Sequence, residues 1–534
     1  MARERLYLFD TTLRDGAQTQ GVDFSVEDKA NIAKALDALG IDYIEGGWPG
    51  ANPGDTAFFN NPPEFKNATF TAFGMTRRPG RSASNDPGLS EILNAKTPAV
   101  CLVGKSWDFH VDVALGIELD ENIAMISDSI KEAVAQGREA MYDAEHFFDG
   151  YKANPEFALG CLKAAYESGA RWVVLCDTNG GTLPDEVERI VTEVVQHVPG
   201  SHLGIHTHND TENAVANTLM AVRAGVRQIQ GTLNGLGERC GNANIISLIP
   251  SLVLKEPYKS LVDTGITQEG LKALTSISRL LDEILNRSPN AHQAYVGPSA
   301  FAHKGGLHVS AVEKDPKTYE HIDPAVVGNK RHLLVSDQAG RSNIIAQLRD
   351  IGLDMDPKDP KVDRLLEEVK EREFKGFSYD GALASFELMA RRRLGQVPKY
   401  FDVESFRVQV ERRHNVRGEL LTVSDAVVKV VVDGERYLSV GEGNGPVNAL
   451  DSALRKDLGK YSEFIDDLRL VDFKVRILTS GTEAVTRVLI ESTDSSNKRW
   501  FTVGVSPNIV DASFAALIDS ITYKLYRAGA PASK

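Results

Sequence analysis

Short apolar runs rich in β-branched residues recur through the first half of the chain, at Leu6–Asp10, Ile41–Glu45, Thr69–Phe73, Ala99–Val103, Glu139–Ala144, Trp172–Asp177, Leu203–Thr207 and Gln228–Thr232. Between them lie Val26–Leu39, Ile123–Gln136, Pro155–Ser168, Asp185–His197 and Glu212–Ala224, in which apolar residues return every three or four positions. The first pattern predicts strands and the second predicts amphipathic helices. Strand alternating with helix implies a parallel sheet, and eight repeats in about 250 residues predict a closed (β/α)8 TIM barrel. An open doubly wound sheet is the competing arrangement. Asp10-Thr-Thr-Leu-Arg-Asp-Gly16, which follows the first strand, has neither the GxGxxG turn nor the Walker pattern that would favour it.

Beyond about residue 270 the strand rhythm stops. Helical patterns at Leu271–Leu285, Ser342–Ile351, Lys361–Arg372 and Tyr379–Arg391 flank a turn-rich stretch containing Ala300-Phe-Ala-His-Lys-Gly-Gly-Leu-His308. Gly395-Gln-Val-Pro398 marks a boundary. Past it the chain repeats itself: Arg436-Tyr-Leu-Ser-Val-Gly441 aligns with Arg499-Trp-Phe-Thr-Val-Gly504, and Val447-Asn-Ala449 with Val510-Asp-Ala512, at a constant offset of 63 (504 − 441). Two copies of a strands-then-helix unit predict an α+β domain with pseudo-two-fold symmetry. The expected division is a catalytic barrel over 1–275, helical connecting subdomains over 276–398 and a regulatory or dimerising domain over 399–534. The 534-residue length suits three to four folding units.

Composition removes several classes of function. Lys and Arg number 60 against 74 Asp and Glu, a net charge of −14. The longest basic run is Arg391-Arg392-Arg393, at the end of a helical stretch. Neither a nucleic-acid partner nor an anionic membrane is expected. No apolar run approaches the roughly 18 residues of a membrane helix. The N-terminus reaches a strand too soon for a secretory leader. Cys101, Cys161, Cys176 and Cys240 are widely spaced and form no CxxC. A cytoplasmic, reduced protein without a disulfide scaffold or zinc ribbon is expected.

The C-terminal ends of barrel strands are where such folds carry reactive groups. Here they supply Asp10, Arg14 and Asp15, then Glu45, Asp143 with Glu145, Asp177-Thr-Asn179, His206-Thr-His-Asn-Asp210 and Gly235-Leu-Gly-Glu-Arg-Cys-Gly-Asn242. His206 and His208, two apart on an extended segment, point the same way and can share a divalent metal, with Asp15 adding an oxygen. An isolated HxH pair is more often structural, but the barrel-top position and the flanking Asn209-Asp210 favour a site. Mn²⁺, Mg²⁺ and Zn²⁺ are not distinguished by this set. Arg14, permanently charged, suits oxygen charge developing on a carbonyl or enolate; the plainer reading is a salt bridge to Asp15. His308 and Tyr319 are weaker by themselves. The Gly305-Gly306 pair permits a sharp bend before His308.

Taken together, Asp10–Gln18, His206–Asp210 and Gly235–Asn242 resemble the metal-dependent Claisen-condensing TIM-barrel family that includes the 2-isopropylmalate, homocitrate and citramalate synthases. Ala300–His308, Tyr319-Glu-His-Ile-Asp-Pro324 and the repeat with Gly443-Asn-Gly-Pro-Val-Asn448 resemble the members that carry an allosteric domain. The resemblance implies one divalent metal on Asp15, His206, His208 and Asn242, and acetyl-CoA as co-substrate. Arg14 would hold the keto oxygen of a small 2-oxoacid, Thr178 its carboxylate, and Glu145 with His308 would abstract the proton, with Tyr319 nearby. Two positions depart from the family's habit: Ala17 stands where Glu is frequent, and Ser310 where Asp often follows the base.

Phe73, Leu102 and Tyr142, near the ends of strands 3, 4 and 5, are expected to crowd the acceptor pocket. They would favour pyruvate, giving citramalate for isoleucine biosynthesis, over 2-oxoisovalerate, giving 2-isopropylmalate. A homodimer and a branched-chain amino-acid effector, isoleucine, are implied for the repeat domain. A retro-Claisen lyase and a non-catalytic metabolite sensor are the other readings. The 250 or so residues beyond the barrel argue against the lyase, and the intact polar set argues against the sensor.

Overall fold

The computed structural model describes residues 3–534 except 286, 288, 304–305, 334–340, 357, 380, 415, 479–483 and 497. Eight parallel strands close into a barrel in chain order: β1 (Tyr7–Asp10), β2 (Tyr43–Glu45), β3 (Thr69–Met75), β4 (Ala99–Lys105), β5 (Glu139–Glu145), β6 (Trp172–Asp177), β7 (Leu203–Thr207) and β8 (Gln228–Gly231). β1 pairs with both β2 and β8, which completes the ring. The strands coincide with the eight apolar runs to within a residue or two. Eight helices alternate with them: α1 (Val26–Leu39), α2 (Pro53–Asn60), α3 (Pro87–Asn94), α4 (Leu119–Ala135), α5 (Pro155–Glu167), α6 (Pro184–Val194), α7 (Ala214–Ala224) and α8 (Ile245–Leu254).

Local chemistry sets the ends of these elements. Ser25 and Asp28 form a reciprocal capping box at the start of α1, which ends where Gly40 adopts φ +99°. In α6, Val187, Ile190, Val191 and Val194 form the buried stripe. Along each strand, successive residues face opposite ways. On β6, Trp172, Val174 and Cys176 point into the barrel, where they join Phe9, Tyr43, Phe73, Cys101 and Met141. Val173 and Leu175 point outward into the larger core shared with the helices. Low in the interior, Trp172 Nε1 donates to the Tyr43 hydroxyl (3.2 Å), which donates to Glu139 (2.6 Å). The barrel is thus plugged below and open to polar groups above.

The chain divides into two compact units, 1–301 with 322–331, and 302–321 with 332–534. In the first, helix α9 (Gln268–Ile284) extends the barrel unit, and Thr275 of α9 donates to the carbonyl of Val327 (2.7 Å). In the second lie α10 (Gly306–Lys314), α11 (Arg341–Asp350), α12 (Pro360–Phe374) and α13 (Leu383–Arg393). The internal repeat folds as two copies of one unit. Antiparallel β9 (Asp402–His414), β10 (Leu420–Val432) and β11 (Glu435–Gly443) lead to α14 (Pro446–Lys456). Likewise β12 (Arg469–Ile477), β13 (Thr486–Thr493) and β14 (Arg499–Ser506) lead to α15 (Ile509–Arg527).

α13 packs against the second copy: Ser385 Oγ donates to Asp519 (2.9 Å) and accepts from the Val503 amide (3.0 Å). Phe386 and Met389 share a core with Val503. The helix just before Gly395-Gln-Val-Pro398 is therefore built into the repeat domain's packing.

The two glycines that sequence alignment pairs occupy equivalent places. A Cβ on Gly441 would lie 2.4 Å from the Ala453 amide and 2.6 Å from the Ala449 carbonyl; one on Gly504 would lie 1.9 Å from the Ala512 carbonyl and 3.0 Å from the Ala516 amide. Each helix thus crosses its sheet at backbone contact, a spacing that admits no side chain. Gly441→Ala and Gly504→Ala should each destabilise the C-terminal unit by about 1–3 kcal/mol, as overpacking does. Gly445, at φ −166° and with no atom within 4 Å of the place a Cβ would take, serves as the control. Its alanine variant should stay within about 0.5 kcal/mol of the parent in denaturant melts.

Candidate active site

At the C-terminal end of the barrel is a cavity of about 310 Å³ lined by Arg14, Asp15, Trp48, Phe73, Met75, Val103, Lys105, Asp143, Glu145, Thr178, His206 and His208, among others. Asp15 reaches it from the turn after β1, whose shape depends on the buried Asp10. The Asp10 carboxyl accepts from the Thr12 amide and hydroxyl (both 2.9 Å), and the Thr12 hydroxyl accepts from the Leu233 amide (2.8 Å). The loops after β1 and β8 are so tied together. Burial pushes the Asp10 carboxyl up to about 7 against these bonds.

His206 and His208 stand at the end of β7 with their Nε2 atoms 3.3 Å apart. Asp15 Oδ2 lies 3.1 Å from His206 Nε2 and 4.0 Å from His208 Nε2. Asn242 Nδ2 lies 2.8 Å from Asp15 Oδ2 and 3.3 Å from His206 Nε2. The Gly235–Asn242 loop reaches this place by laying Asn242 against His208 as an isolated antiparallel bridge. Gly241, at φ +91°, would put a Cβ 2.1 Å from the Gly235 carbonyl; Gly237 would put one 2.0 Å from Asn242 Oδ1. Those two glycines are what the close fold of the loop requires.

His206 Nδ1 is 2.8 Å from Gln230 Oε1, and Gln230 Nε2 donates to Asp143 (3.2 Å). Because Gln230 Oε1 can only accept, the proton sits on Nδ1 and Nε2 is aimed at Asp15, as second partners of metal-bound histidines do. Asn242 Oδ1 and His208 Nδ1 are buried without a hydrogen-bond partner. Two imidazole nitrogens and a carboxylate oxygen lie within 4.8 Å of one another, and the Asn242 side-chain amide lies beside them with its oxygen unpartnered and its nitrogen toward Asp15. This set fits a divalent cation with mixed nitrogen and oxygen ligands.

The electrostatics agree. Burial raises the Asp15 pKa, but Arg14, the His206 hydrogen bond and both imidazoles outweigh it and hold the carboxyl well below its usual range. Burial lowers the His206 pKa, yet the Asp15 contact prevails and raises it. Burial and the charge of His206 push His208 down to about 3.

Arg14 is packed over the Phe73 ring at 3.9 Å and donates from Nε to Glu45 (2.6 Å), with Nη1 3.5 Å from Asp15. Burial lifts Glu45 to about 7 despite that partner. Glu145 lines the cavity and is ion-paired with Lys105. Thr178 also lines it, and its hydroxyl accepts from the His146 amide (2.9 Å).

The expectation for Leu102 and Tyr142 is corrected. Both are fully buried in the layer between strands and helices, and the Tyr142 hydroxyl donates to the Gly104 carbonyl (3.2 Å). Alternation explains it: with Met141, Asp143 and Glu145 facing inward on β5, Tyr142, between Met141 and Asp143, must face outward. Phe73 does line the cavity, and the bulk beside it comes from Trp48, Met75 and Val103. Lys105 and Gln230 escaped the sequence reading as site residues, although the same alternation points each inward; Glu45, read there as a polar strand end, meets Arg14. His308 and Tyr319 lie in the second unit with their rings stacked at 4.1 Å, both exposed. Gly305 lies outside the described residues.

Comparison with known proteins adds the family. Residues 5–280 match the HMGL-like family. The chain belongs to that family. Residues 295–375 match the homocitrate synthase post-HMGL domain-like family, and residues 381–525 the LeuA allosteric (dimerisation) domain. The (R)-citramalate synthase of Aquifex aeolicus is 51% identical over 98% of this chain and 98% of its own length. That of Geobacter sulfurreducens is 51% identical over 97% of each. A probable 2-isopropylmalate synthase of Methanopyrus kandleri is 31% identical over 97% of this chain and 98% of its own. Within this HMGL-like chain the match thus runs through barrel, connecting segment and repeat.

Two expectations follow for the metal centre. His208→Ala should lower metal affinity and activity together, read by calorimetry on the stripped protein and by thiol release. The Asp15 contact raises the His206 pKa, and a bound cation must displace whatever proton Nε2 holds. His208, at about 3, carries none. Metal binding should therefore release more protons as pH drops, and affinity should fall as pH drops through the raised His206 pKa. Calorimetry in buffers of differing ionisation enthalpy measures the proton count.

Proposed function

We propose that this chain condenses acetyl-CoA with pyruvate and hydrolyses the thioester, yielding (R)-citramalate and CoA. The observation that carries the reading is 51% identity over nearly the whole chain to (R)-citramalate synthases, against 31% to a probable 2-isopropylmalate synthase. The polar cavity at the barrel mouth supports it.

Asp15, His206 and His208, with Asn242, would hold one divalent metal, which when bound polarises the keto group of the 2-oxoacid. Arg14, fixed by Glu45 and Phe73, presents a permanent charge to oxygen as it becomes negative. Thr178 would accept the acid's carboxylate. Glu145, held by Lys105, would act with His308 to take a proton from the acetyl methyl group, with Tyr319 beside His308. The resulting enolate carbon bonds to the keto carbon of pyruvate, whose oxygen takes the charge and then a proton. Water then cleaves the thioester, and CoA leaves as the thiol. Trp48, Phe73, Met75 and Val103, which line the cavity, would crowd the acceptor's side chain and so favour a methyl over an isopropyl group.

We further propose a homodimer joined through the repeat domain, with isoleucine as feedback effector and the cytoplasm as its location. The LeuA allosteric (dimerisation) match over 381–525 supports the first two. So does an asymmetry between the copies: Asn508 caps α15, whereas α14 begins at Gly445 without a side-chain cap. Among the described residues no helix is long and apolar enough to cross a membrane.

Thiol release with acetyl-CoA and a panel of 2-oxoacids, with and without EDTA, tests the function. Pyruvate should give the highest kcat/KM, with some turnover of 2-oxobutyrate, since one methylene discriminates by only about 1–3 kcal/mol. A higher kcat/KM with 2-oxoisovalerate would reassign the enzyme as a 2-isopropylmalate synthase. Truncation before α13, which needs β14 for its packing, should abolish isoleucine inhibition and retain part of the activity. A truncated enzyme that isoleucine still inhibits would move the effector site elsewhere.

A further inference from the structure

A second set of metal-capable side chains lies at the barrel mouth, apart from the Asp15 triad. His110 belongs to the short helical turn Asp108–His110 that follows β4, and His146 directly follows Glu145 at the end of β5. One ligand atom from each of His110, Glu145 and His146 lies within 4.8 Å of the others. The two imidazole rings meet edge to face at 4.6 Å.

Three details give this cluster the character of a ligand set. His110 Nδ1 is buried and has no hydrogen-bond partner, a state that costs free energy unless something accepts its lone pair or proton. His146 sits at φ +57°, a left-handed backbone that non-glycine residues seldom adopt, and it is held there by the bond from its amide to Thr178. Its Nδ1 leans toward Asp149 at 3.5 Å, which leaves Nε2 for another partner. Glu145 uses Oε2 for Lys105 and has Oε1 in reserve.

Two imidazoles and one carboxylate are a known donor set for zinc. We propose that His110, His146 and Glu145 form a second, zinc-binding site whose occupation inhibits the enzyme by drawing Glu145 away from Lys105 and the cavity. The inhibitory half rests on the reading of Glu145 as part of the proton-abstracting pair; the binding half does not. Zinc in excess would then oppose the divalent cation that supports activity at Asp15, His206 and His208, through a different set of side chains.

The test is zinc stoichiometry on the full-length, metal-stripped protein by calorimetry and equilibrium dialysis, followed by zinc titration of the magnesium-loaded enzyme. The parent should bind two Zn²⁺ and lose activity as the second is taken up. His110→Gln should bind one, or weaken the second by at least about tenfold, the least that disturbing a metal shell costs. It should keep its magnesium-supported activity and escape the zinc inhibition linked to the second equivalent. His146→Asn, which tolerates the left-handed backbone, should repeat the binding result. His208→Ala should still bind one Zn²⁺, and His110→Gln with His208→Ala none.

A parent that binds one Zn²⁺, or a His110→Gln variant that binds and responds as the parent does, would overturn the site. Two bound Zn²⁺ without inhibition would overturn the withdrawal of Glu145. An enzyme inactive on pyruvate would defeat the proposed function while leaving the stoichiometry readable, so the two failures are distinguishable.

Discussion

Closing eight parallel strands into a ring fixes the direction of every side chain on them, because neighbours along a strand face opposite ways and the ring has no free edge at which register could slip. In this chain the inward positions are graded from bottom to top. Trp172 and Tyr43 fill the lower interior, Phe9, Cys101, Met141 and Val174 extend the apolar fill, and Asp143, His206 and the groups after β1 crown it. The apolar plug does more than stabilise. It removes water from beneath the polar layer, so the groups above it interact in a medium of low dielectric and their charges count for more.

That medium makes the balance of charge at the mouth difficult. Asp10, Asp15, Glu45 and Asp143 are all buried there. Arg14 serves Glu45 and Asp15 together. Its single charge cannot satisfy every carboxylate, which is why burial carries Asp10 and Glu45 to about 7 and raises Asp143 as well. In the metal-free protein the Asp15 contact raises the His206 pKa, so a proton held there would answer part of the Asp15 charge. A divalent cation on the same ligands would replace one proton by two charges at the place where the deficit is greatest. The desolvation that makes the layer costly is thus the source of its affinity for a cation.

What could be read from the sequence follows from the same alternation. The eight strands were legible because each is a dense apolar run bounded by turn residues, and the metal-capable set because Asp15, His206 and His208 stand at or just past strand ends. Leu102 and Tyr142 were misplaced because bulk and nearness to a strand end were weighed without parity; Asp143 and Glu145 fix β5 so that Tyr142 faces the helices. Lys105 and Gln230 were hidden for a different reason. Charged or amide residues at inward positions acquire meaning through partners distant in the chain, and one-dimensional spacing does not reveal that Lys105 meets Glu145 or that Gln230 orients His206. Ser385 shows the same limit at a domain boundary. Its helix looks like part of the connecting segment until its bonds to Asp519 and Val503 are seen.

The repeat was visible as a constant offset, and the structure supplies its physical cause. Gly441 lies against Ala449 and Ala453, and Gly504 against Ala512 and Ala516, so the contacts themselves are displaced by 63 residues (512 − 449, 516 − 453). A helix that touches its sheet through glycine and alanine leaves no slack for sliding, since either element would have to climb over a Cβ to move. The two copies are therefore locked internally in the same way, and whatever distinguishes them must lie at their ends. There they do differ: Asn508 satisfies the first amides of α15, while Gly445 offers α14 no side chain to do so. A helix start without a side-chain cap and a capped one at its twin make a domain that is symmetric in its packing and asymmetric at its helix ends.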